Sequence, residues 1–159
     1  MVAVTQGIDC RVFGREYTRK VILDTSAAAA CTGFKGEPIV LEIAAGDTVN
    51  PRYCHGVADP EMKPTSIFMG IAKENHTNVI SSAETLTANG IEIWVEPTIV
   101  GIKLAALTNA SAGKTVYYVT GTIDVSTATD TPPIGKLMWV DGDYAYVMVK
   151  TAISTGAGA

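Results

Sequence analysis

Cysteine is scarce and set at no pairing interval. Cys10, Cys31 and Cys54 are the only three and form no Cys-x-x-Cys step, which reads as small buried hydrophobes in a reducing setting rather than as a disulfide pair with one spare. Charged residues make up 18% of the chain and aromatics 7%, against 47% hydrophobic; so low a charge content excludes a disordered tail protein. Long apolar runs are missing too. The longest, Thr98 to Leu107, is interrupted by Lys103 and falls well short of the roughly 18 residues of a membrane-spanning helix. The opening Met1-Val2-Ala3-Val4-Thr5-Gln6-Gly7 carries neither a basic n-region nor an apolar h-region, so no secretory signal is expected, and synthesis in the cytosol without membrane insertion follows. On that expectation the glycosylation sequons at Asn75 and Asn109 are chance matches. With two histidines in the chain, no Ser-His-Asp or Cys-His pattern can be defended.

What is present describes one domain. A chain of 159 residues buries about 70% of its unfolded surface and needs neither disulfide nor metal to fold. The formal net charge of -4 counts against a general nucleic-acid binder. That charge is unevenly spread. Residues 1–35 hold Arg11, Arg15, Arg19, Lys20 and Lys35 against Asp9, Glu16 and Asp24, net +2, and residues 36–159 hold seven basic and thirteen acidic residues, net -6. The leading segment 1–35 is therefore read as an N-terminal arm or a first hairpin, 36–151 as a β domain, and 152–159, with its Ser-Thr-Gly-Ala-Gly-Ala end, as a flexible tail.

Strand signals are steady from Glu37 onward. Pro38 to Ile43 alternates around Ile39, Leu41 and Ile43, Ser66 to Ala72 is a short apolar run, and Ile91, Ile93 and Val95 alternate with Glu92, Trp94 and Glu96, the period-2 pattern of a half-buried strand that Pro97 interrupts. Thr115–Val119 and Thr122–Ser126 flank Thr120-Gly121 as one hairpin; Lys136–Val140 and Tyr144–Lys150 flank Asp141-Gly142-Asp143 as a second. Helix evidence is thin, with a turn or two possible over Ser82–Ala88 and Lys103–Ala112. Gly70, Gly101 and Gly135 each sit inside a strand-like run, where glycine marks a bulge or a close backbone approach.

Several chemical motifs resolve into ordinary turns. Val21-Ile22-Leu23-Asp24-Thr25-Ser26-Ala27 approaches the Asp-Thr-Gly loop of retroviral-type aspartic proteases, in which two carboxylates of a dimer share one proton, but Ser26 stands where glycine belongs. A strand leaving the core through an Asp-Thr-Ser turn is favoured. Gly113-Lys114-Thr115 lacks the glycine five residues earlier, position 108 being Thr108, and runs into a strand rather than a helix, so a phosphate loop is rejected. Adjacent Cys54 and His55, with Cys31 and His76 at no recognised spacing, give no zinc pattern. Asp141-Gly142-Asp143 lacks the further ligands of a calcium loop. Tyr117, Tyr118, Trp139, Tyr144 and Tyr146 lie among Asp124, Asp130, Asp141 and Asp143, which favours core and cross-strand packing over a base-stacking platform.

Taken in order, Ala112-Gly113-Lys114-Thr115-Val116-Tyr117, Thr120-Gly121-Thr122, the Thr/Ser-rich bridge Val125 to Thr131, Pro133-Ile134-Gly135-Lys136-Leu137, and Asp141-Gly142-Asp143 with its strand to Val149 resemble the C-terminal half of tailed-phage capsid decoration (cement, head-stabilising) proteins. Ala44-Ala45-Gly46-Asp47-Thr48-Val49 resembles that family's Gly-Asp-x-Val turn, and Ile67 to Lys73 its hydrophobic-Gly-hydrophobic-Ala strand, so the likeness covers about residues 37 to 150. Lys114 stands where the family more often has Asp, and residues 1–35 have no counterpart. The resemblance implies a mainly β fold, a small, strongly bent β-barrel or β-tulip-like domain with minor helix, preceded by an N-terminal arm. It implies a virion structural protein that binds the major capsid protein lattice from outside and stabilises it, as a homo-oligomer with a trimer favoured. It further implies residence on the capsid surface after synthesis in the host cytoplasm, no enzymatic activity, no catalytic, cofactor or metal residues, and neither nucleic acid nor membrane as partner. Two other readings compete. One is a small β-rich binding or carbohydrate-recognition module presenting Trp94, Tyr117 and Trp139; the other is an aspartic protease using Asp24.

Overall fold

In the computed structural model the described residues are 7–23, 33–41, 53–55, 67–76, 90–103, 107–119, 122–125 and 132–150, with backbone only at 53–55, 119 and 122. They form β1 (Cys10–Phe13), β2 (Thr18–Leu23), β3 (Pro38–Leu41), β4 (Tyr53–His55), β5 (Ile67–Ala72), β6 (Gly90–Trp94), β7 (Ile99–Lys103), a 3-10 turn (Asn109–Ser111), β8 (Thr115–Val119), β9 (Thr122–Asp124), β10 (Pro133–Asp141) and β11 (Tyr144–Val149). The chain is mainly β. Six strands make an antiparallel sheet in the order β1-β7-β11-β10-β8-β9, and the other five pair around a ring, β2-β4-β3-β5-β6. Within the ring β2 and β4 run parallel and every other neighbour antiparallel. Three of its five seams, β2–β4, β3–β4 and β5–β6, join over two residue pairs each, so the ring is a short, irregular closure and not a regular barrel.

Side-chain alternation distributes the apolar residues between two cores. Val21, Leu23, Ile39, Ala72, Ile91 and Ile93 fill the inside of the ring. Outward-facing ring residues Val40, Phe68, Ile71 and Trp94 pack instead against the inner face of the six-stranded sheet, meeting Val100, Ile102, Leu137, Ala145, Val147 and Val149. Each fully buried Val, Leu, Ile or Phe contributes about 1.5–3 kcal/mol of transfer free energy. The strand over Ile91–Val95 is therefore not half-buried as its pattern indicates: Trp94, on the face opposite Ile91 and Ile93, is 3% exposed.

The leading segment supplies one strand to each sheet. β1 lies along β7 with Cys10 opposite Ile102 and Phe13 opposite Ile99, while β2 lies along β6 with Thr18 opposite Trp94. Over residues 10–23 it is neither a detached arm nor a hairpin closed on itself. Its two strands are held at one crossing by Thr98, which is fully buried. The Tyr17 N–H donates to Thr98 Oγ1 at 2.9 Å, the Thr98 hydroxyl donates to the Tyr17 carbonyl at 2.9 Å, and the Val149 N–H donates to the Thr98 carbonyl at 3.0 Å. One side chain thus ties the turn before β2 to the start of β7, its buried hydroxyl both donating and accepting.

Of the turn or two expected over Lys103–Ala112, the described residues show one, the 3-10 element Asn109–Ser111, and Lys103 instead ends β7. Residues 82–88 lie outside the described part. The in-strand glycines stand where backbones crowd. A Cβ at Gly135 would meet the Met148 carbonyl, at Gly70 the Trp94 carbonyl, and at Gly101 the Tyr146 ring at 2.8 Å.

Replacing Thr98 with Val keeps the shape but strands the Tyr17 N–H. Thr98→Val is expected to lower the unfolding free energy by about 1–3 kcal/mol, read as a shift of the denaturant midpoint at unchanged slope; an unchanged midpoint would remove Thr98 as the tie.

Candidate functional site

The inner face of the six-stranded sheet is covered by the ring, and its outer face carries the exposed Arg11, Phe13, Lys103 and Asp141. Three cross-strand rows follow from the registers. Lys103, Tyr144 and Asp141 form the first, Arg11, Gly101, Tyr146 and Trp139 the second, and Phe13, Ile99, Met148 and Lys136 the third. Trp139 reaches this face through an irregularity. Continued alternation from buried Leu137 would turn it inward, but the β10–β11 register shifts between Leu137 and Trp139, and the extra residue, Met138, lets Trp139 fall opposite Tyr146.

An aromatic cluster results. Trp139 and Tyr146 stack with centroids 4.8 Å apart and planes 16° from parallel, and the Phe13 ring stands edge-on to both, at 4.9 Å from Trp139 and 6.1 Å from Tyr146. Such pairs add about 0.5–1.5 kcal/mol each beyond the area they bury. Glycine at 101 makes the arrangement possible, because any side chain there would occupy the space used by the Tyr146 ring and the Arg11 stem. In the neighbouring row the Arg11 guanidinium lies 3.4 Å from the centre of the Tyr144 ring, a cation–π contact, and the Tyr144 hydroxyl donates to Asp9 Oδ2 at 2.5 Å. That bond, ahead of the nearby cations, holds the Asp9 carboxyl below the usual aspartate range, and it raises the Tyr144 hydroxyl above the usual tyrosine value.

A second polar group lies between the ring and the turn after β1. The Trp94 indole N–H donates to Glu16 Oε1 at 2.8 Å, and Lys73 Nζ lies 2.7 Å from Glu16 and 3.4 Å from Glu92. The Lys73 hydrogen bond, then that of Trp94, holds the Glu16 carboxyl low, and Glu16 in turn raises the Lys73 ammonium. This set satisfies itself: its work is to give a buried indole an acceptor. Burial pushes the Cys10 thiol up to about 12, so it stays a thiol at neutral pH.

The sequence candidates scatter. Trp94 is buried and its N–H engaged, Tyr117 is half-buried, and Trp139 has one ring face covered by Tyr146; the three do not form one platform of free ring faces. Tyr118 belongs to the core, as packing arguments indicate. Asp24 and Cys31 lie outside the described residues, and so do the side chains of Cys54 and His55. Gly113-Lys114 is a turn with Gly113 at φ +84 leading into β8, and Gly142, at φ +58, turns β10 into β11. Among the described residues no group of three or more His, Cys, Asp or Glu stands together, and no helix is long and apolar enough to cross a membrane. Phe13 belongs to no motif of the sequence, and Arg11 enters there only as charge. Their signal was there, since Cys10 and Val12 alternate with Arg11 and Phe13, which sets Phe13 on the polar side of its strand.

Comparison with protein-family models, with curated proteins and with solved structures returns no match.

The Asp9–Tyr144 bond has a pH signature. Asp9, depressed in the folded state, contributes stability above the unfolded aspartate pKa that is lost as pH falls through its folded value. Tyr144, raised, contributes stability below the unfolded tyrosine pKa that is lost as pH rises through its folded value. Tyr144→Phe is expected to return the Asp9 carboxyl toward its ordinary range in an NMR titration; an unmoved Asp9 would contradict the assignment.

Proposed function

We propose that this protein is a virion structural component that binds the outer surface of an assembled capsid shell and stabilises it. The observation that supports this reading is how the stretch resembling capsid decoration proteins folds. Its described residues, from Asn109 to Val149, form one contiguous half-sheet, β11-β10-β8-β9. Short bonds lock that half-sheet to its entry turn. The Gly113 N–H donates to the Leu137 carbonyl at 2.7 Å, and the Leu137 N–H donates to the Lys114 carbonyl at 3.0 Å. The Asn109 side chain does the work of a strand neighbour, with Oδ1 accepting from the Val140 N–H at 2.7 Å and Nδ2 donating to the Val140 carbonyl at 3.1 Å. The Gly-Lys-Thr, Ile-Gly and Asp-Gly-Asp stretches that carry the resemblance are thus neighbours in space.

The work proposed is mechanical. An acidic protein with net charge -4 stays soluble until a shell is available, and many individually weak contacts on a lattice combine into firm attachment through multivalency. A homotrimer would place three contacts on one lattice position and multiply that gain. In this reading the protein performs no catalysis and needs neither cofactor nor metal. It takes the major capsid protein lattice as its partner, not nucleic acid or membrane, and moves from host cytoplasm to capsid surface.

Mixing the purified protein with shells that lack it should give saturable cosedimentation at a fixed ratio to the capsid subunit and should raise the temperature at which the shells rupture. Shells that neither retain the protein nor gain heat resistance would refute the reading.

A further inference from the structure

We propose that the outer sheet face around Phe13 is the surface that meets the shell, and that it takes a protein surface with an apolar pocket rimmed by carboxylates. The inference rests on the shell-binding reading above and deepens it. Phe13 is 56% exposed, more than any other large hydrophobic residue described, yet its ring is not loose: Trp139 and Tyr146 support it from below. A preordered aromatic pays little further entropy when a partner closes over it. Phe, Trp, Tyr and Arg are also enriched at protein interfaces, and buried aromatic and Arg anchors carry much of the binding energy there.

Charge identifies the partner's chemistry. The protein is acidic overall, but the chain around Phe13 is not. Arg11, Arg15, Arg19 and Lys20 are all exposed, and Glu16, the one carboxylate among them, is engaged by Lys73 and Trp94. On the face itself Lys136 lies in the row of Phe13, and the Asp9 carboxylate is occupied by the Tyr144 hydroxyl. Two nearby carboxylates are thus committed, while Arg11 and Arg15 rest on the Tyr144 and Tyr17 rings and remain exposed with their positive charge unneutralised by those carboxylates, which suits an acidic rim and speeds encounter with it. Nucleic acid fits less well. Bases stack on open ring faces, whereas the Trp139 and Tyr146 rings cover each other and Asp141 closes the far end of the face.

The test compares wild type, Phe13→Ala, the double variant Arg11→Glu/Arg15→Glu, and Lys114→Glu as a charge reversal at the exposed turn before β8, four strands from Phe13 in the sheet. Each is measured for binding to shells lacking the protein, across a salt series, with a thermal melt to confirm folding. Expected are a loss of affinity of at least about tenfold for Phe13→Ala with a melt that stays cooperative and falls by no more than several degrees, slower association and a flatter salt dependence for the double variant, and wild-type behaviour for Lys114→Glu. Three outcomes overturn the inference while leaving the shell-binding reading intact: Phe13→Ala and the double variant binding like wild type, wild type consuming the same face by self-association in sedimentation before any shell is added, or a single-stranded oligonucleotide competing through Phe13. Wild type that fails to bind shells at all overturns both.

Discussion

Strands β5 and β6 must serve two cores at once, and much of the molecule follows from that demand. Their inward residues, Ala72, Ile91 and Ile93, close the ring, and their outward residues, Phe68, Ile71 and Trp94, form the floor on which the six-stranded sheet rests. A strand with two buried faces has little room for polar groups. The buried Trp94 indole N–H is met by Glu16, and Glu16 and the half-buried Glu92 are both paired with Lys73. Burying the indole thus fixes the turn between β1 and β2, and Thr98 fixes the same turn from the other side. The leading segment is consequently part of both layers although its partners lie some eighty positions later in the chain.

With the ring covering one face of the large sheet, the other presents the exposed Arg11, Phe13 and Lys103. Two local departures from regular strand geometry shape it. The missing side chain at Gly101 lets Tyr146 and Arg11 approach, and the shift at Met138 brings Trp139 outward beside Tyr146. A bulge and an in-strand glycine each cost ladder regularity, and sites where a protein accepts such costs are where function is to be sought. Here they assemble a supported aromatic anchor, with Phe13 outermost.

The parts of this architecture legible in the sequence are those set by neighbours in the chain. Alternation over Tyr144–Val149, the Asp-Gly-Asp turn and the crowding at Gly70, Gly101 and Gly135 are local properties, and the structure has them. What was illegible depends on distant pairing. Glu92-Trp94-Glu96 looks like a solvent face because no local signal announces that a second sheet will cover Trp94. Trp139 stands beside Tyr146 through a register shift that arises between two strands, not within one. β1 and β2 look like an arm because their charge is distinctive, while the strands that receive them begin at Gly90 and Ile99. The aromatic cluster had the same difficulty: its members come from β1, β10 and β11, and Phe13 stands far from the tyrosines and tryptophan that attract attention near the C-terminal end.

A photoreactive phenylalanine analogue at position 13 tests the central claim most directly. Irradiated on the shell, it should cross-link to the capsid subunit, while the same analogue at exposed Asn75 should not. Cross-links from position 75 with none from position 13 would contradict the account.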